Sequence, residues 1–74
     1  MNKALKYIEY GLYKNDTTWY SLTAYNKYYG FSLEIVDLNT NETVFKKFLK
    51  TQDTEYIGNY IRKVARNNFN AKIA

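Results

Sequence analysis

Seventy-four residues without a cysteine or a histidine make one domain near the lower size limit for unaided folding, with neither a disulfide frame nor the usual metal ligands. Support has to come from a hydrophobic core, and 46% apolar residues, with 19% aromatic, suffice to build one. A net charge of +4 and a pI near 9.3 permit contact with nucleic acid or an acidic protein surface without establishing either.

No apolar run reaches the roughly 18 residues of a membrane span. The opening MNKALKYIEYG is interrupted by Lys6 and Glu9 where a signal peptide would carry its apolar stretch. Together with the missing cysteines, this points to a cytoplasmic protein. Asn15-Asp16-Thr17 and Asn41-Glu42-Thr43 are then turns rather than glycosylation sites. No repeat, linker or low-complexity segment divides the chain. Residues 1–74 read as one domain with an ordered core at about 4–68.

The first element, Lys6 to Tyr13, reads as a strand with Ile8, Tyr10 and Leu12 on one face. Its rival is a helix over residues 3–13, in which Leu5, Ile8 and Leu12 share a face. Tyrosine density and Gly11 favour the strand. A loop centred on Asp16 opposes Leu12 to Tyr20 and Tyr10 to Leu22. Trp19 to Asn26 is a second strand, with Tyr20, Leu22 and Ala24 on one side and Trp19, Ser21, Thr23 and Tyr25 on the other. A tight turn at Asn26-Lys27 then opposes Ala24 to Tyr29, Leu22 to Phe31 and Tyr20 to Leu33.

Tyr28 to Leu49 reads as a β-hairpin, the stretch on which the other elements depend. Asn39-Thr40-Asn41 joins its two apolar runs, and Asn41 suits the left-handed residue that closes a three-residue connection. Leu38 opposite Glu42 sets the register. It pairs Ile35 with Phe45, Phe31 with Leu49, Val36 with Val44, and Glu34 with Lys46. A slip by one residue would turn Glu34 and Lys46 into the core. Thr51 or Asp53 caps a helix running to about Asn68, with Ile57, Tyr60, Ile61, Val64 and Ala65 as its apolar stripe. Arg62, Lys63 and Arg66 toward its end suit the helix dipole. The tail, residues 69–74, is expected to fray, with Phe69 able to dock.

These elements predict an α+β domain: a small antiparallel meander of three to four strands packed against a C-terminal helix. The runner-up order is α-β-β-β-α, with residues 3–13 helical.

Without histidine or cysteine the commonest general bases and nucleophiles are missing. Asp16, Asp37, Glu42, Asp53 and Glu55 fall in turns, at a strand end or at the helix start, and Glu9 and Glu34 face away from the core. Glycines stand singly, so there is no phosphate-cradling loop. The chain is therefore expected to have no catalytic residues, no metal site and no cofactor. The aromatic surplus carries more information. Tyr10, Tyr20, Tyr29, Phe31 and Phe45 are assigned to the core face. Tyr7, Tyr13, Trp19, Tyr25, Tyr28 and Phe48 are left on the opposite one, with Val36 and Val44. Contiguous exposed aromatics mark interfaces, and tyrosine and tryptophan dominate hot spots.

The preferred expectation is thus a non-enzymatic protein-binding module that uses those six residues. A second reading is a nucleic-acid-binding module that stacks bases on sheet aromatics and meets phosphates with Arg62, Lys63 and Arg66, flanked by Asn59 and Lys72. A third is a structural homodimer. Sparse basic residues among the sheet aromatics favour the protein partner. The use of Asn, Lys, Tyr and Ile without proline resembles, in composition alone, small accessory proteins of phages and mobile elements of low-GC bacteria. That resemblance implies an inhibitor or modulator of a host enzyme, defence complex or nucleic-acid-processing complex, acting in the host cytoplasm.

Overall fold

The alternation of apolar and polar residues from Trp19 to Leu49 is realised as three consecutive antiparallel strands. A computed structural model describes residues 7–74; Leu5, Lys6 and the start of the expected core lie outside the described residues. The described residues form β1 (Tyr7–Lys14), β2 (Trp19–Lys27), β3 (Gly30–Asp37), β4 (Glu42–Leu49), α1 (Thr54–Phe69) and β5 (Lys72–Ile73). They make one antiparallel sheet in the order β4-β3-β2-β1-β5, with α1 packed on one face. The α+β meander with a C-terminal helix is therefore the fold. The helix expected over residues 3–13 is excluded for its described part, residues 7–13, because they ladder with β2 on both sides of one bulge.

The core sits between the middle strands and the helix. Leu22, Ala24, Phe31, Leu33 and Ile35 meet Ile57, Ile61 and Ala65, and all eight are buried. Burying each large side chain contributes about 1.5–3 kcal/mol. Tyr60 and Val64 complete the stripe from its margins, partly buried against the core. Asp53 is the N-cap: its side chain accepts from the backbone N–H groups of Glu55 and Tyr56.

Three registers differ from those expected, each for a local reason. Between β2 and β3 the turn lies at Tyr28-Tyr29, so that Leu22 faces Ile35 and Ala24 faces Leu33. Asn26 stays in the strand, and its side-chain amide donates to the Gly30 carbonyl at 3.2 Å. The displacement is an even number of residues, so the buried faces are preserved. Tyr29 leaves the core and is 79% exposed.

Between β3 and β4, Ile35–Phe45, Phe31–Leu49 and Glu34–Lys46 pair as expected, but Val36 faces Thr43 rather than Val44. Asp37 is the cause. Its Oδ1 accepts from the N–H groups of Asn39 and Thr40, drawing Leu38 into the turn, and a bulge at Val44 absorbs the extra residue. Asn41 closes the turn in the left-handed region, at φ 62°.

Between β1 and β2 the expected register holds at Ile8–Ala24 and then breaks at Tyr10-Gly11. Gly11 adopts φ 115°, a conformation open to glycine and strained for other residues. Beyond this bulge Leu12 pairs with Ser21 and Tyr13 with Tyr20, so the two side chains exchange faces. Leu12 becomes exposed, and Tyr13 is buried at 6% exposure.

The tail does not fray. Asn70 turns the chain at φ 53°, Ala71 is buried, and Lys72–Ile73 pair with Lys14 and Tyr13. Asn15 locks this corner. Its Oδ1 accepts from the N–H groups of Thr17 and Thr18, while its Nδ2 donates to the Phe69 carbonyl at 2.7 Å. A turn residue of the first hairpin thus satisfies a carbonyl at the helix end, one of those the helix leaves unpaired.

Two substitutions test this architecture. Asn15→Asp keeps the acceptor but replaces the donor with a negative charge facing a helix C-terminal carbonyl, and should cost about 1–3 kcal/mol in urea denaturation. Ile61→Asp places a charge at the centre of the sheet–helix contact and should cost more than about 4 kcal/mol, leaving an unfolded circular dichroism spectrum. A native-like spectrum for Ile61→Asp would remove α1 from the core.

Candidate functional site

One helix covers one face of the sheet, so the other face is open among the described residues. The ladders order that open face into rows. One row runs Tyr7, Tyr25, Ser32, Phe48; the next runs Glu9, Thr23, Glu34, Lys46; a third runs Leu12, Ser21, Val36, Thr43. Lys14 and Trp19 end the face.

Tall side chains flank short ones. Thr23 and Ser32 are only 5% and 6% exposed although no helix among the described residues lies above them. Their register neighbours are longer: Glu9 and Glu34 flank Thr23, and Tyr25 and Phe48 flank Ser32. The Tyr7 and Tyr25 rings pack with centroids 4.9 Å apart. Across Ser32, Tyr28 and Phe48 bound a shallow recess of about 290 Å³ with Lys27 and Lys46 at its rim. Tyr28 is held at φ 56° in the turn, with the Lys27 ammonium 5.7 Å from its ring centroid.

Of the six aromatics expected on this face, Tyr7, Tyr25, Tyr28 and Phe48 gather at the end near the β2–β3 turn. Trp19 stands at the far end, beneath the Lys14 ammonium at 5.4 Å. Tyr13 does not belong to the set, because the bulge turns it inward. Leu12 was missed: it is 44% exposed and lies one row from Trp19. The signal that finds it is Gly11, since an isolated glycine inside a strand marks a bulge. Charge on this face is mixed. Glu9 and Glu34 sit among Lys14, Lys27 and Lys46, and Lys46 lies 3.8 Å from Glu34. An exposed pair of this kind is worth about 0–1 kcal/mol.

The helix carries a second surface, on the other side of the molecule. Arg62, Lys63 and Arg66 line an open groove of about 730 Å³ that runs between α1 and the β1–β5 edge, with Tyr13 and Ala71 below and Lys72 also on its lining. Gly58 explains how Arg62 is held. A Cβ there would lie 2.7 Å from the Tyr10 ring and 3.1 Å from the Arg62 guanidinium. Its absence lets Tyr10 lie on the helix, with Arg62 5.6 Å from the ring centroid and donating to Asn59 at 3.0 Å.

The groove adjoins a second hollow of about 480 Å³ that shares Asn59, Lys63 and Asn67 with it and is walled by Tyr56 and Tyr60. Sequence reasoning found the cations but not these two rings. Their spacing of four residues beside a basic stripe is the signal that was there to read. Among the described residues the sole ion pair is Lys46–Glu34, so the helix cations have no carboxylate partner.

The carboxylates are dispersed. Asp37 and Asp53 serve turn and cap, and no cluster of three potential metal ligands exists among the described residues. No helix among them is long and apolar enough to cross a membrane. Searches of protein-family models, curated proteins and solved structures find no match to this chain.

Two tyrosines beside these surfaces are held above the ordinary phenol pKa of 10.0. Burial raises Tyr10, opposed by the nearby Arg62; burial, then Glu9 and Tyr25, raise Tyr7. A raised folded-state pKa means that the stability tied to the neutral phenol is whole below the unfolded value. It is lost as pH climbs through the folded one. The urea midpoint of the native chain should therefore fall above about pH 10, and Tyr10→Phe should fall less steeply there. Equal slopes for the two proteins would detach Tyr10 from the transition.

Proposed function

We propose that the chain is a small non-enzymatic binding protein that docks on a larger protein through the open sheet face. The observation that supports this is a face uncovered among the described residues, carrying Tyr7, Tyr25, Tyr28, Phe48 and Trp19 around small buried residues, with both signs of charge. Aromatic anchors rimmed by polar groups are the composition of protein interfaces. Glu9 and Glu34 in the middle of the face would repel a phosphate backbone.

The area of the face argues against an obligate dimer built on it. Four strands by seven residues span roughly 19 by 23 Å, on the order of 450 Å² per partner. A symmetric pair through this face would bury about 900 Å², well below the roughly 2,000 Å² and more of obligate dimers, whereas transient docking uses areas of this order. The compositional resemblance to phage accessory proteins supports an inhibitor or modulator of a host enzyme, defence complex or nucleic-acid-processing complex. The cysteine-free sequence suits a cytoplasmic setting.

The test is an alanine scan against the partner recovered by affinity capture after nuclease treatment. Tyr25→Ala, Phe48→Ala and Trp19→Ala should each cost about 1 kcal/mol or less of stability, while at least one weakens binding by about 2 kcal/mol or more. Lys63→Gln and Arg66→Gln should leave this binding within twofold. Sedimentation of the free chain should give a monomer. Loss of binding confined to the helix variants, or a stable dimer that the sheet variants dissociate, would end this reading.

A further inference from the structure

The exposed face of α1 has a lining that the sheet-docking role does not use. Three stripes run along it at helical spacing: Tyr56 and Tyr60; Asn59, Lys63 and Asn67; Arg62 and Arg66. The outer stripes differ in chemistry and the middle one belongs to both hollows. On one side is a groove whose side-chain polar groups are chiefly cationic or amide donors, and no carboxylate lines it. On the other are two tyrosine rings with centroids 6.3 Å apart, of which Tyr56 is 52% exposed.

A run of like charges at these spacings destabilises an isolated helix by a few tenths of a kcal/mol per pair. Here no carboxylate offsets it, since the sole ion pair among the described residues is on the sheet. The helix has a single acid in its first turn, Glu55, and none among the cations. The groove also depends on the tail: Ala71 to Ile73 form its outer wall only because β5 pairs with β1.

We infer that this helix face binds single-stranded nucleic acid, with the phosphates in the Arg62–Arg66 groove and bases against Tyr56 and Tyr60. Donors without carboxylates match the acceptor-only phosphodiester, and guanidinium groups match its geometry better than ammonium does. Aromatic faces beside such a groove are what distinguishes a single strand from the other polyanions. Unpaired bases stack on them, whereas a duplex hides its base faces and an acidic polypeptide or a lipid headgroup offers none. The rings line one hollow and the arginines the other, so strand and side chains run alongside one another rather than crossing. Recognition is then of backbone and base plane, with little dependence on sequence. The site lies on the helix side of the sheet, so a partner on the open face leaves it free.

Fluorescence anisotropy with a labelled single-stranded DNA of about 12 nucleotides tests this, with an RNA of the same sequence, the matching duplex, polyglutamate and anionic vesicles in parallel. The two single strands should bind, and the duplex, polyglutamate and vesicles should bind at least tenfold more weakly. With about three phosphate contacts, a fourfold rise in salt should weaken single-strand binding on the order of 20-fold. Lys63→Gln with Arg66→Gln, both exposed and away from the core, should weaken binding more than tenfold and flatten the salt dependence. Tyr56→Ala should weaken it about tenfold and leave the salt dependence as it was. Trp19→Ala should change nothing. Duplex, polyglutamate or vesicles bound as tightly as the single strand, an indifferent Tyr56→Ala, or no single-strand binding at low salt would each overturn the inference.

Discussion

Everything in this molecule follows from the contact of Ile57 and Ile61 with Leu22, Leu33 and Ile35, because it is the place where apolar surface is fully removed from water on both sides. The described residues have one helix to lay on one sheet, and the stability of so short a chain rests on that layer. The constraint is one of parity. Leu22, Ala24, Phe31, Leu33 and Ile35 must share a face, so the register errors the chain can tolerate are even ones. The β2–β3 ladder illustrates this: its turn lies away from the Asn26-Lys27 position, yet the same residues are buried.

Where an odd shift occurs, the fold compensates and a different surface results. The bulge at Tyr10-Gly11 sends Tyr13 inward to lie beside Tyr20, and sends Leu12 outward. Tyr13 then becomes the floor on which the tail closes. Asn15, Tyr20, Phe69 and Ala71 converge on the same corner, where Asn15 donates to the Phe69 carbonyl and the Tyr20 ring lies 5.4 Å from that of Phe69. The two-residue β5 is short, but it completes the sheet edge and raises the wall of the basic groove. One glycine in the first strand thus shapes both candidate surfaces.

Those surfaces are chemically distinct. The open sheet face is aromatic with paired or interspersed charge, and the helix face is basic without a counter-charge among the described residues. They lie on opposite sides of the sheet, so the two proposed roles would not compete for the same residues.

Much of this was legible in the chain itself. Alternation from Trp19 to Leu49 determined the strands, helical spacing from Ile57 to Ala65 determined the buried stripe, Thr51 or Asp53 marked the cap, and Asn41 the left-handed turn. These are local properties, written in periodicity and in the conformational preferences of single residues. The sequence also determined that a surplus of rings would remain outside a one-sided core, and that the cations would gather late in the helix. The rest was decided only by tertiary structure. Side-chain capture by Asp37 displaced the last turn of the hairpin, and the positive φ of Gly11 exchanged Leu12 with Tyr13. Pairing across sixty residues, of Tyr13 with Ile73, drew the tail onto the sheet and so made the groove. No window of sequence contains such a pairing, because its free energy comes from two segments far apart in the chain that the docked helix brings side by side.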